Sequence, residues 1–137
     1  MEKKAAINIQ DRTFEFALRI VRLHEYLYKR SGAAHIIARQ LLRSATSVGA
    51  NLEEASAGQS KADFISKCSI AAKEARETRY WLRLLPACQS ISAQKVEALI
   101  EEAGEIIAIL TTIVKRAMQS SRRTTRDTDN STFNIQH

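Results

Sequence analysis

Proline occurs once in these 137 residues and glycine four times, which excludes a sheet of many short strands joined by tight turns. Cysteine occurs twice, as Cys68 and Cys88, with neither metal-ligand spacing nor His or Cys companions. That excludes a disulfide framework or a zinc site, and both are read as small apolar core residues in a reducing compartment. The three histidines, His24, His35 and His137, share no ligand spacing, and the Glu-x-x-His pairs that build di-iron centres in bundles are absent. No Gly-rich phosphate loop and no nucleophile paired with a base can be found. No metal, no cofactor and no catalytic residue is expected: the chain reads as a binding or assembly protein rather than an enzyme. No apolar run approaches the roughly 18 residues that cross a bilayer, and Met1-Glu-Lys-Lys has no apolar region behind it. A cytoplasmic protein with no membrane partner is expected.

What is present is helical. Residues 10–30 place Phe16, Ile20, Leu23 and Leu27 on one face, with Phe14, Leu18, Val21 and Tyr28 widening it, before Gly32. Residues 34–55 place Ile37, Leu41, Ala45, Val48, Leu52 and Ala55 at steps of 3 or 4 and stop at Gly58. Ser60-Lys-Ala-Asp63 reads as a capping box opening a third helix. Its seam, Phe64, Cys68, Ala71, Ala75, Thr78, Leu82 and Leu85, runs to Pro86. Ser92 caps a fourth helix, with Ile91 and Val96 as a hydrophobic staple and Val96, Ile100, Ala103, Ile107, Leu110, Val114 and Ala117 as its seam. Leu99, Ile106 and Ile113 add a parallel row, so this helix is either central or faces another subunit. Residues 119–137 lack period and apolar content and are expected to be a disordered tail. The fold class expected is all-α: an antiparallel up-down-up-down four-helix bundle in residues 1–118.

Ser44, Ser47, Asn51 and Glu54 form a polar stripe beside the apolar row of the second helix. The third helix carries a matching row of Ile70, Glu74, Glu77 and Trp81. The two rows either face solvent or meet, inside the bundle or across a subunit boundary. If buried they must satisfy one another, because an orphaned polar group costs about 1–3 kcal/mol.

Ser47-Val-Gly-Ala-Asn-Leu-Glu-Glu-Ala55, followed by Ser60 and Phe64, resembles the Ser-x-x-x-Asn-Ile-x-Glu-Gly…Ser-x-x-x-Phe signature of a bacterial family. These are small four-helix bundle proteins encoded by intervening sequences in 23S ribosomal RNA genes. Ala72-Lys-Glu-Ala-Arg-Glu-Thr-Arg-Tyr-Trp-Leu82 is similar to the family's third helix, and the likeness runs from about Phe14 to Ala117. One position departs: the family's Gly is Ala55 here, which implies a second helix that continues until Gly58. The resemblance implies a homo-oligomeric ring, commonly a pentamer, with Ser47, Asn51 and Glu54 as register residues. Relatives include accessory proteins of diversity-generating retroelements, so it also implies RNA or DNA and a reverse transcriptase as partners.

The net charge of +6 permits contact with phosphates without establishing it. Arg76, Arg79 and Arg83 form a basic row on the third helix, Arg39 and Arg43 sit one turn apart on the second, and Arg12, Arg19, Arg22 and Arg30 crowd one side of the first, interrupted by Glu15. Residues 12–43 carry seven Lys/Arg against two Asp/Glu, and residues 95–116 three against four. This asymmetry nominates seven arginines, Arg19, Arg22, Arg39, Arg43, Arg76, Arg79 and Arg83, for nucleic-acid binding with little sequence specificity, driven by backbone charge. No exposed aromatic set is expected to interleave with them. The alternative is a homo-oligomeric adaptor with no nucleic-acid role.

Overall fold

The computed structural model describes residues 8–134; the expectations that fall on the N-terminal Met1-Glu-Lys-Lys, His137 and the last three residues lie outside the described residues. Four helices follow one another: α1 (Ile9–Tyr28), α2 (Ala33–Ser56), α3 (Lys61–Ala87) and α4 (Ala93–Asn134). Local chemistry sets their ends. Asn8 caps α1 by accepting the Gln10 amide at 2.8 Å, and Ser60 caps α3 by accepting the Asp63 amide at 3.1 Å. Gly32 stands before α2 at φ 73, a left-handed conformation that a β-carbon disfavours. Pro86 is accommodated in the last turn of α3, which closes one residue later at Ala87.

Contacts along the rods establish their directions. Gln10 reaches Ser56, Glu54 pairs with Lys67, Arg76 reaches Thr111, and Lys95 lies over the Tyr26 ring. The first, second and last of these pairs, and Lys61 with Ser120, each join the early part of one helix to the later part of its neighbour, so α1 to α4 alternate in direction, and α1 touches α4 least. The core is built from most of the seam residues, with Phe16, Ile20, Leu41, Val48, Leu82, Leu85, Val96 and Leu110 at most 1% exposed, joined by Ile106 of the parallel row; Leu23, Phe64, Ile100, Val114 and Ala117 of the seams are only half-buried. Each buried Leu, Ile or Phe contributes about 1.5–3 kcal/mol of hydrophobic stabilisation.

Three expectations need correction or refinement. The apolar surplus of α4 is absorbed within the chain, where Leu99, Ile106 and Ile107 are buried and Ile100, Ile113 and Val114 half-buried. The large apolar side chains left outside lie mostly elsewhere, led by Phe14 at 68% and Ile36 at 63% exposed. Cys68 is a core residue, its thiol pushed up by burial, but Cys88 is exposed at the end of α3 with its Sγ 3.1 Å from Ser90 Oγ. Finally, α4 does not stop where composition turns polar. Its backbone stays helical to Asn134, although residues 122–130 are all exposed and bury nothing. The hydroxyls of Thr124, Thr125 and Thr128 each donate to a carbonyl one turn back on the same helix.

Candidate nucleic-acid interface

α3 has two flanks, and charge is handled differently on each. Toward α2, the polar rows meet inside one chain. Ser44 and Thr78, both fully buried, place their hydroxyl oxygens 2.9 Å apart. Ser44 donates to the Leu41 carbonyl, and the one Thr78 hydroxyl proton is shared between Ser44 Oγ and the Glu74 carbonyl, so neither hydroxyl is orphaned. Arg43 spans from Nη1 to Glu74 and from Nη2 to Glu77. Its hydrogen bond to Glu77, followed by the field of both carboxylates, raises its pKa further. Glu74 is itself pushed up, first by burial and then by Glu77 beside it. Lys67 answers Glu54 at 2.7 Å, and Asn51 turns back on its own helix to the Ser47 carbonyl and hydroxyl. Arg43, Ser44 and Glu54 thus reach across to α3, whereas Ser47 and Asn51 bond within α2. Trp81 completes this flank, and its Nε1 is the buried side-chain polar atom without a partner among the described residues.

Gly49, the small residue of that stretch, faces α1 rather than α3. A β-carbon there would sit 3.6 Å from Thr13 Oγ1, which is ordinary contact. Close helix approach does not demand a glycine at this position.

Toward α4 the same helix presents cations without carboxylate partners among the described residues. Lys73, Arg76 and Lys115 line a groove of about 230 Å³ whose floor is Ala72 and Val114. Arg76 makes only a 3.4 Å contact to the Thr111 hydroxyl. Arg79, half-buried, lies over Gly104, and Arg83 is exposed beyond it. Tyr80, 56% exposed, stands one turn from both Arg76 and Arg83, so an aromatic ring does interleave with this basic row. Along α4 the groove runs on to Arg122, beside Ile65 and Met118, and then to Arg123 and Arg126. From Ile106 to Arg126 the chain holds five Lys/Arg and no Asp or Glu. Averaging over residues 95–116 hid this, because Glu97, Glu101, Glu102 and Glu105 all sit in the first turns of α4.

The seven nominated arginines therefore do not form one patch. Arg76, Arg79 and Arg83 share the α4 flank of α3. Arg39 and Arg43 border α1 and α2 on the far side, and Arg43 is engaged by Glu74 and Glu77. Arg19 and Arg22 lie two to three turns beyond Arg12, which bridges Glu102 and Glu105 and is raised by its bond to Glu102. Lys73, Lys115 and Arg122 were missed. The seven-residue step from Lys115 to Arg122 was the available signal, but a tail assumed to lack structure placed Arg122 out of consideration.

No histidine, cysteine or carboxylate cluster able to hold a metal occurs among the described residues, and no helix there is long and apolar enough to cross a membrane.

The model of the 23S rRNA-intervening sequence protein family matches residues 6–112. A crystal structure of a protein with unknown function from the S23 ribosomal protein family of Bacteroides thetaiotaomicron is 42% identical to this chain. It superposes with a TM-score of 0.73, covering 79% of this chain and 99% of that one. Comparison with curated proteins finds no match.

Proposed function

From the premise that the chain belongs to the 23S rRNA-intervening sequence protein family, we propose that it is a non-enzymatic helical protein that binds RNA or DNA by charge along the α3–α4 groove. The observation that carries this reading is the run Lys73, Arg76, Lys115 and Arg122, which no carboxylate neutralises, set beside a flank of the same helix where every cation is paired. Phosphate contacts of this kind position a nucleic acid without reading its bases. Arg79 and Arg83 extend the row, and Tyr80 offers a ring on which a base can stack.

The proposal includes assembly of several copies, supported by the exposed Phe14 and Ile36. Repetition of the groove around an oligomer multiplies its contacts. A reverse transcriptase or other protein partner belongs to this reading as an addition that co-purification tests. The same apolar residues favour a second reading, an adaptor whose only task is protein contact.

Titration of a fluorescent structured RNA separates the two. Binding through about four phosphates predicts a loss of roughly a hundredfold between about 50 and 200 mM salt. Lys73→Gln, Arg76→Gln and Lys115→Gln together reduce the salt slope by about 3, with fold and subunit number unchanged. Absence of binding at the lower salt removes the nucleic-acid reading, and a monomer by light scattering removes the assembly.

A further inference from the structure

On the side of the bundle opposite the basic groove, α1 and α2 enclose an open niche of about 450 Å³. That volume suits a small organic ligand. Three rings converge there from two helices. The Tyr28 ring lies 5.7 Å from that of His24 and 5.2 Å from that of His35, tilted by 41° and 50°. His35 is tied down through Nδ1, 3.4 Å from the Tyr28 carbonyl oxygen. Leu42 supplies an apolar wall and Arg39, one turn after His35, a guanidinium at the rim. Arg43 also reaches the niche, but Glu74 and Glu77 hold it, which leaves Arg39 as the cation available to an anion.

A half-exposed ring platform beside an unpaired guanidinium is the chemistry that holds a flat heteroaromatic group bearing a phosphate. We propose that this niche binds an unpaired nucleotide of a single-stranded stretch, its base against Tyr28 and His35 and its phosphate on Arg39. The inference rests on the nucleic-acid reading above for the source of that nucleotide. It adds a site that the groove does not contain, and it gives the protein a preference for unpaired over duplex segments. None of these residues lies in the α3–α4 groove, so the two surfaces can be altered separately.

Imidazole NMR signals report the niche directly, with His24 and His35 assigned from single His→Gln variants. Adenosine monophosphate is expected to shift both signals and to saturate, while inorganic phosphate produces no comparable shift at the same concentrations. Tyr28→Ala and Arg39→Gln each weaken the titration about tenfold, and Tyr28→Phe, which keeps the ring, retains it. Tyr28 is 59% exposed at the last position of α1, so its replacement leaves the core intact. No shift up to about 10 mM nucleotide, or equal shifts from phosphate alone, overturns the inference. The Lys73, Arg76 and Lys115 variant keeps the nucleotide titration. If that variant loses RNA while the wild-type niche ignores nucleotide, the inference fails alone. If wild type binds no RNA at low salt, the groove proposal fails and the inference, which needs a strand to supply the nucleotide, fails with it.

Discussion

The two flanks of α3 draw on the same residue types and put them to opposite use. Against α2, Arg43 and Lys67 are answered by Glu74, Glu77 and Glu54, and the buried Ser44 and Thr78 answer each other. Against α4, Lys73, Arg76 and Lys115 meet alanine, valine and a threonine hydroxyl. A row of arginines on a helix wheel is therefore not yet a site. The neighbour decides whether its charge fixes register or stays available to a ligand.

Charge reversal is the strongest way to break this contrast. Arg43→Glu brings a third carboxylate to Glu74 and Glu77 and should cost about 1–2 kcal/mol, allowing for the half exposure of Arg43. Arg76→Glu should move stability by less than about 0.5 kcal/mol and yet lower RNA affinity about tenfold or more. Urea melts and RNA titrations of both variants check the pair; equal stability losses would erase the distinction. Next in size is the buried hydroxyl pair. Ser44→Ala and Thr78→Val each cost about 1 kcal/mol, and the double variant costs less than their sum because neither partner is left to be satisfied. Additive losses in a double-mutant cycle would mean that the 2.9 Å contact is incidental. Gly49→Ala sharpens the contrast from the α1 side of α2. With 3.6 Å to Thr13 Oγ1, the added methyl fits, and helix propensity should raise stability by up to about 1 kcal/mol. A loss instead would show that α1 and α2 cannot yield even slightly there.

The smallest effect is a pH dependence. Glu74 is raised in the folded state, so its contribution favours folding below the ordinary carboxylate range and is lost as pH rises through its elevated value. Glu74→Gln removes that loss. Measured by urea midpoints at pH 4 and pH 7, the variant's stability relative to wild type should shift in its favour by a few tenths of a kcal/mol. A shift in the other direction would mean that the pull of Arg43 outweighs burial.

The packed bundle was legible because its apolar spacing is a direct record of which face each helix buries. The seams from Phe16 to Leu27, Ile37 to Ala55 and Cys68 to Leu85 are the observed core. Ends were readable where a cap is a side chain, as at Ser60, and less so at Pro86, which the last turn of α3 absorbs. The polar stretch around Ser44 was readable as a row facing either solvent or a neighbour, and only the neighbouring atoms say that it meets Glu74, Glu77 and Thr78 within one chain. Tyr80 was overlooked although the wheel sets it between Arg76 and Arg83. The niche of His24, Tyr28, His35 and Arg39 depends on two helices brought side by side, which no single-helix pattern encodes. Beyond Met118, composition announced a disordered tail, whereas the backbone is helical to Asn134 with residues 122–130 exposed.

That last stretch has a practical consequence. Past Ser121, α4 projects about 20 Å with no companion rod. Arg122, Arg123 and Arg126 are each exposed on it, so trypsin should nick there well before it reaches the folded body. A single clip after Arg122 would detach both other guanidiniums, leaving a shorter molecule of unaltered melting temperature but weaker grip. Brief digestion thus offers a graded dial on surface charge with no mutation at all.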